Sequence, residues 1–96
     1  MQKRIDEKPE IDILVDEETT IDVLSRVVLY NDDWHTFDEV IIQLIKAISC
    51  TFETARSHAF EVHVKGKSIV FNGSLKDCLR VSTVLEEIAL NTQIIT

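Results

Sequence analysis

The stretch of this 96-residue chain best equipped for chemistry is Asn31-Asp32-Asp33-Trp34-His35-Thr36-Phe37. An amide and two carboxylates stand there beside an imidazole and two aromatic rings. A second polar cluster, Val62-His63-Val64-Lys65-Gly66-Lys67, closes an apolar helical pattern further along. Amide and carboxylate oxygens at the edge of an apolar cavity are what an ammonium group carried by a hydrophobic side chain requires. An isolated Asn-Asp-Asp reads as a polar loop with a helix cap. A tryptophan in so short a loop, together with the second cluster, favours a binding site.

Other chemistries fit the residues poorly. The chain has two glycines, Gly66 and Gly73, so no glycine-rich loop can wrap a phosphate, and no nucleophile elbow occurs. Of the three histidines, His58 and His63 are five apart on one helix, about 140° around its axis, whereas helical zinc pairs use a spacing of four. No metal and no cofactor is expected. Asp32 or Asp33 paired with His63 could serve catalysis. Yet both cysteines, Cys50 and Cys78, fall on apolar faces and no serine stands as an evident nucleophile, so the chain reads as a non-enzyme.

The elements that must position these clusters follow from periodicity. Leu24 to Tyr30 is a β-branched run stopped by Asn-Asp-Asp and predicts a strand. Thr36-Phe-Asp-Glu39 has the form of a capping box. Phe37, Val40, Ile41, Leu44, Ile45 and Ile48 then make one apolar stripe of a helix ending near Ser49. Thr51 caps a second helix with Phe52, Ala55, Ala59 and Val62 on one side and Gly66 as its terminator. Ser68 to Phe71 predicts a strand and Asn72-Gly73 a turn. Ser74 with Asp77 opens a third helix, with Leu75, Cys78, Leu79, Ser82, Leu85 and Ala89 on one face and Asn91 at its end. Thr92 to Thr96 closes as a strand. The order β-α-α-β-α-β predicts an α+β layer sandwich, a three-stranded antiparallel sheet covered by three helices.

Composition narrows the class further. Ten basic residues against 17 acidic give a net charge of −7, which argues against a nucleic-acid binder. Residues 1–22 carry three basic and eight acidic side chains, the only proline and no aromatic, and are expected to be a flexible acidic arm before a domain at 23–96. The Ile11, Ile13, Val15 alternation is the one strand-like feature in that arm. Two cysteines far apart suit a reducing compartment, and no apolar run reaches the ~18 residues of a membrane span. A cytoplasmic protein without membrane association is expected.

At Val27-Val28-Leu29-Tyr30-Asn31-Asp32-Asp33, Thr36-Phe37-Asp38-Glu39-Val40 and Val62-His63-Val64-Lys65-Gly66-Lys67 the chain resembles the ClpS adaptor family over about residues 24 to 92. That family delivers N-degron substrates to the ATP-dependent Clp protease. The resemblance implies a monomeric adaptor for protein N-termini that begin with a bulky hydrophobic residue. It places the substrate α-amino group on Asn31, Asp32 and His63 and leaves Asp33 to assist the turn. It puts Phe37 at the gate, a position usually filled by Met, makes Val40, Ala59 and Val62 pocket wall, and sets Trp34, His35 and Thr36 around the mouth.

The implied partner is a Clp AAA+ unfoldase of the ClpA or ClpC type. Lys76 and Val81 stand where a glutamate and a lysine commonly help dock it. The alternative reading is an interaction domain like the C-terminal domain of ribosomal stalk proteins, without N-degron binding.

Overall fold

A computed structural model describes residues 23–96; the arm expected at 1–22 lies outside the described residues. Three strands and three helices alternate as β1 (Leu24–Tyr30), α1 (Phe37–Ile48), α2 (Phe52–Lys65), β2 (Lys67–Ser74), α3 (Leu75–Glu86) and β3 (Asn91–Ile95). Both pairings in the sheet are antiparallel and β1 is central, in the order β2-β1-β3. The architecture is the expected α+β layer sandwich.

Each helix begins on a side-chain cap. Thr36 Oγ1 accepts from Glu39 N at 3.1 Å while the Glu39 carboxylate accepts from Thr36 N at 2.8 Å, a complete capping box for α1. Thr51 and Ser74 accept from Thr54 N and Asp77 N in the same way. Helix α2 stops at Gly66, whose φ of 88° is left-handed backbone that a side chain would strain, and whose N–H donates to Val62 O.

The core lies between the helices and one sheet face. Val27 and Leu29 of β1 meet Ile41 and Leu44 of α1, Ala55, Ala59 and Val62 of α2, and Cys78, Val81 and Leu85 of α3. Val28 is equally buried but joins Ile69 and Ile95 along a groove elsewhere on the sheet. Among the described residues, no helix is long and apolar enough to cross a membrane.

Three expectations need correction. Asn72-Gly73 does not turn the chain. These residues pair with Arg26 and Ser25 inside β2, because the strand continues until Ser74 faces Leu24, and the helix cap at Ser74 ends it instead. Helix α3 ends at Glu86 rather than near Asn91. Ala89, expected on its face, has φ 64° and belongs to the turn into β3. Phe52 and Leu79, placed on buried faces by periodicity, are exposed, whereas Val81 is fully buried. Ala55, Ala59 and Val62 make the buried face of α2 and leave Phe52, in its first turn, outside it.

Candidate functional site

The sheet register decides where the polar loop emerges. Tyr30, the last residue of β1, faces Lys67 of β2 on one side and Asn91 of β3 on the other. The loop 31–36 therefore leaves the sheet between the end of α2 and the turn that joins α3 to β3. Asn31 N–H donates to Gly66 O at 2.9 Å, which ties the loop's first residue to the end of the helix that carries His63.

A cavity of about 450 Å³ opens at this junction. It is lined by the polar residues Asn31, Asp32, Asp33 and His63 and by the apolar Val40, Ala59 and Val62, with Phe37, Thr36 and His35 completing it. A chamber of about 20 Å³ lies against Asn31, Asp32, His35, Val40 and Val62 on the core side. That is room for one water molecule. Every site residue named from the sequence lines the cavity except Trp34, which is 67% exposed outside it. Asp33, left to the turn by the sequence reading, joins the lining.

The two aspartates have different surroundings. Asp32 Oδ1 accepts from Trp34 N at 3.0 Å and His35 N at 2.8 Å, and Oδ2 lies 2.6 Å from His35 Nδ1. Asp32 is thus the residue that holds the turn, through a carboxylate accepting backbone N–H groups two and three residues on. Burial is the largest influence on its pKa and pushes it up. The N–H groups of His35 and Trp34 and the imidazole outweigh that effect and hold it below the ordinary carboxylate value. Among the described residues, no hydrogen bond or ion pair reaches the Asp33 carboxylate. Asp33 thereby carries the uncompensated negative charge of the pair.

His35 was expected at the mouth, but its side chain is 5% exposed and runs inward. Its Nε2 reaches the carbonyl of Ile88 in the turn between α3 and β3. The indole of Trp34 covers it, ring centroids 4.2 Å apart. Thr36 is spent on the capping box. Asp32 pairs with His35 and not with His63, so the catalytic pairing considered from the sequence is not formed by Asp32.

The other histidine of α2 faces elsewhere. His58 Nδ1 lies 3.1 Å from Ser68 Oγ, and Ser68 donates to Glu61 Oε1 at 2.6 Å, which pins the second half of α2 to β2. The buried Ser68 hydroxyl spends its proton on Glu61, so His58 does not activate it. Burial pushes the His58 pKa down, against the pull of Glu61.

Phe37 is 39% exposed, lines the cavity as the first residue of α1, and is absent from the buried core cluster. Phe37→Ala is therefore expected to cost under about 1 kcal/mol of stability, against the 3–5 kcal/mol of a buried ring. Removing this wall is expected to cut the preference for Leu over Ile peptides about tenfold. Thermal melts and paired titrations check both; a large melting drop with an unchanged Leu/Ile ratio would make Phe37 ordinary core.

Comparison with known families matches residues 20–93 to the family described as ATP-dependent Clp protease adaptor protein ClpS. Among solved structures, Agrobacterium tumefaciens ClpS2 bound to L-phenylalaninamide has a similar fold. The TM-score is 0.68 at 19% identity, over 76% of this chain and 95% of that one. Two curated relatives are E3 ubiquitin-protein ligases: mouse UBR2, 37% identical over 59% of this chain, and Drosophila melanogaster UBR1, 32% identical over 62%. The matched segment is 3% of the length of each ligase.

Proposed function

The chain belongs to the ClpS family of ATP-dependent Clp protease adaptor proteins, and from that premise we propose that it captures protein N-termini whose first residue is bulky and hydrophobic. One observation carries the reading: a single cavity is lined both by amide and carboxylate groups and by aliphatic side chains from two helices, Val40 of α1 and Ala59 and Val62 of α2. The substrate's α-ammonium is held by Asn31, His63 and the aspartate pair. Asp33 supplies the free carboxylate, and Asp32 retains only the acceptor capacity that its turn leaves over. Its first side chain lies on Val40, Ala59 and Val62 beneath Phe37. L-Phenylalaninamide, the molecule bound to Agrobacterium ClpS2, joins an ammonium to a benzyl group and matches the polar and the apolar lining of this cavity in chemistry.

Family membership supports delivery as the second half of the reading. The captured substrate is handed to a Clp AAA+ unfoldase, of ClpA or ClpC type, by a cytoplasmic monomer without catalytic chemistry of its own. Val81 is fully buried and cannot meet that unfoldase, so docking on α3 falls to its exposed residues, Lys76 and Leu79 among them.

Peptides that differ only at residue one test the reading. Burying a large apolar side chain is worth about 1.5–3 kcal/mol, so Leu, Phe, Tyr and Trp peptides are expected to bind roughly ten- to 150-fold more tightly than an Ala peptide. Equal affinities across the series would overturn it.

A further inference from the structure

We propose that His35 is a positioning residue whose doubly protonated ring bolts the Asn31–Asp33 loop to the turn between α3 and β3, so that capture of an N-terminus is strengthened by this proton besides the one on the ligand's amine. The inference rests on the N-terminus reading and adds a residue to which the family resemblance gave only a place at the mouth.

The geometry of the ring carries it. Nδ1 faces the Asp32 carboxylate at 2.6 Å and Nε2 faces the Ile88 carbonyl, 53 residues away in sequence. A carboxylate and a carbonyl only accept hydrogen bonds, and a neutral imidazole has one N–H to give. Only the imidazolium satisfies both. The same carboxylate holds the N–H groups of Trp34 and His35, so ring, carboxylate and two backbone amides form a closed bracket beneath the loop. The ring is almost wholly covered, and the Trp34 indole closes its outer side with a tilt of 30°.

The surroundings favour this protonation state. Burial is the largest influence and opposes the charge. Asp32 and Ile88 by hydrogen bonding, and the charges of Asp32 and Glu39, together outweigh it and leave the His35 pKa raised. Asp33 and His63 are the other titratable groups that line the cavity. With a raised folded-state pKa, the bracket is complete below the ordinary imidazole value of about 6.5 and is lost as pH rises through the raised value. Once the proton leaves, a ring lone pair faces either Asp32 or Ile88 and the loop loses one of its two anchors. Asn31 keeps its backbone bond to Gly66, whereas Asp33, next to Asp32, loses the anchor that fixes its place in the cavity lining.

The test is the pH dependence of L-phenylalaninamide binding to the full chain, from about pH 6.5 to 9.5, for the unmutated protein, His35→Phe and His35→Gln. Across this range log Kd is expected to rise up to about one unit further in the unmutated protein than in either variant, because only the unmutated protein has a His35 proton to lose besides the ligand's. His35→Phe removes both hydrogen bonds and is expected to weaken binding on the order of tenfold at pH 7. His35→Gln keeps an N–H donor that does not titrate and recovers part of that loss. If His35→Phe fails to fold, His35→Gln carries the profile comparison alone. Parallel pH profiles in the unmutated protein and the variants overturn the role of His35 and leave the N-terminus reading standing. No binding by the unmutated protein at any pH overturns both.

Discussion

Asp33→Ala is expected to weaken binding of a peptide beginning with Phe roughly ten- to 150-fold while leaving the melting temperature nearly unchanged. Asp33 offers a charged acceptor to the ammonium, a bond worth about 1.5–3 kcal/mol, and no internal bond of the described structure depends on it. Asp32→Ala acts in the opposite order. It strips the acceptor from Trp34 N and His35 N and removes the counter-ion of a side chain that is 5% exposed. A loss of about 2 kcal/mol follows, a melting drop on the order of 10 °C for a domain of this size. The weaker affinity that accompanies it comes from the loosened loop. Denaturation and titration of the two variants side by side decide the matter. Loss of binding in a thermally unchanged Asp32→Ala, with Asp33→Ala binding normally, would restore Asp32 as the direct amine partner and make Asp33 dispensable.

The expected division of labour between these aspartates shows where sequence reading stopped short. The resemblance supplied both residues without their bonds. The sequence allows either aspartate to accept from backbone N–H groups two and three residues on, and the structure gives that part to Asp32, which accepts from Trp34 and His35. The role of His35 had no local signal. Half of its environment is the carbonyl of Ile88, brought in by the pairing of β3 with β1.

The fold was legible where the signals are short-range. Thr36 with Glu39, Thr51, Gly66 and Ser74 mark helix ends through groups within four residues of one another, and each mark falls where the element begins or stops. Asn72-Gly73 misled because a turn-forming pair was overridden by its ladder to Arg26 and Ser25. Phe52 and Leu79 misled because a helical stripe gives the direction of an apolar face but not its width. Which flank is covered depends on the neighbour, and here α3 turns Val81 inward instead of Leu79.

The central claim is that the cavity reads an α-ammonium and a hydrophobic side chain together. Acetylating the amine removes the charge and two donors while leaving the side chain intact, and strands the carboxylate end of the cavity beneath a neutral amide. Loss of one partner from such a desolvated charge contact costs roughly 2–5 kcal/mol, about 30-fold to a few thousand-fold in affinity. The direct measurement is calorimetric titration of the full chain with L-phenylalaninamide and with its N-acetyl derivative at pH 7. Binding of the first, with the second weaker by at least about 30-fold, is the predicted result; equal affinity of the two would contradict the account.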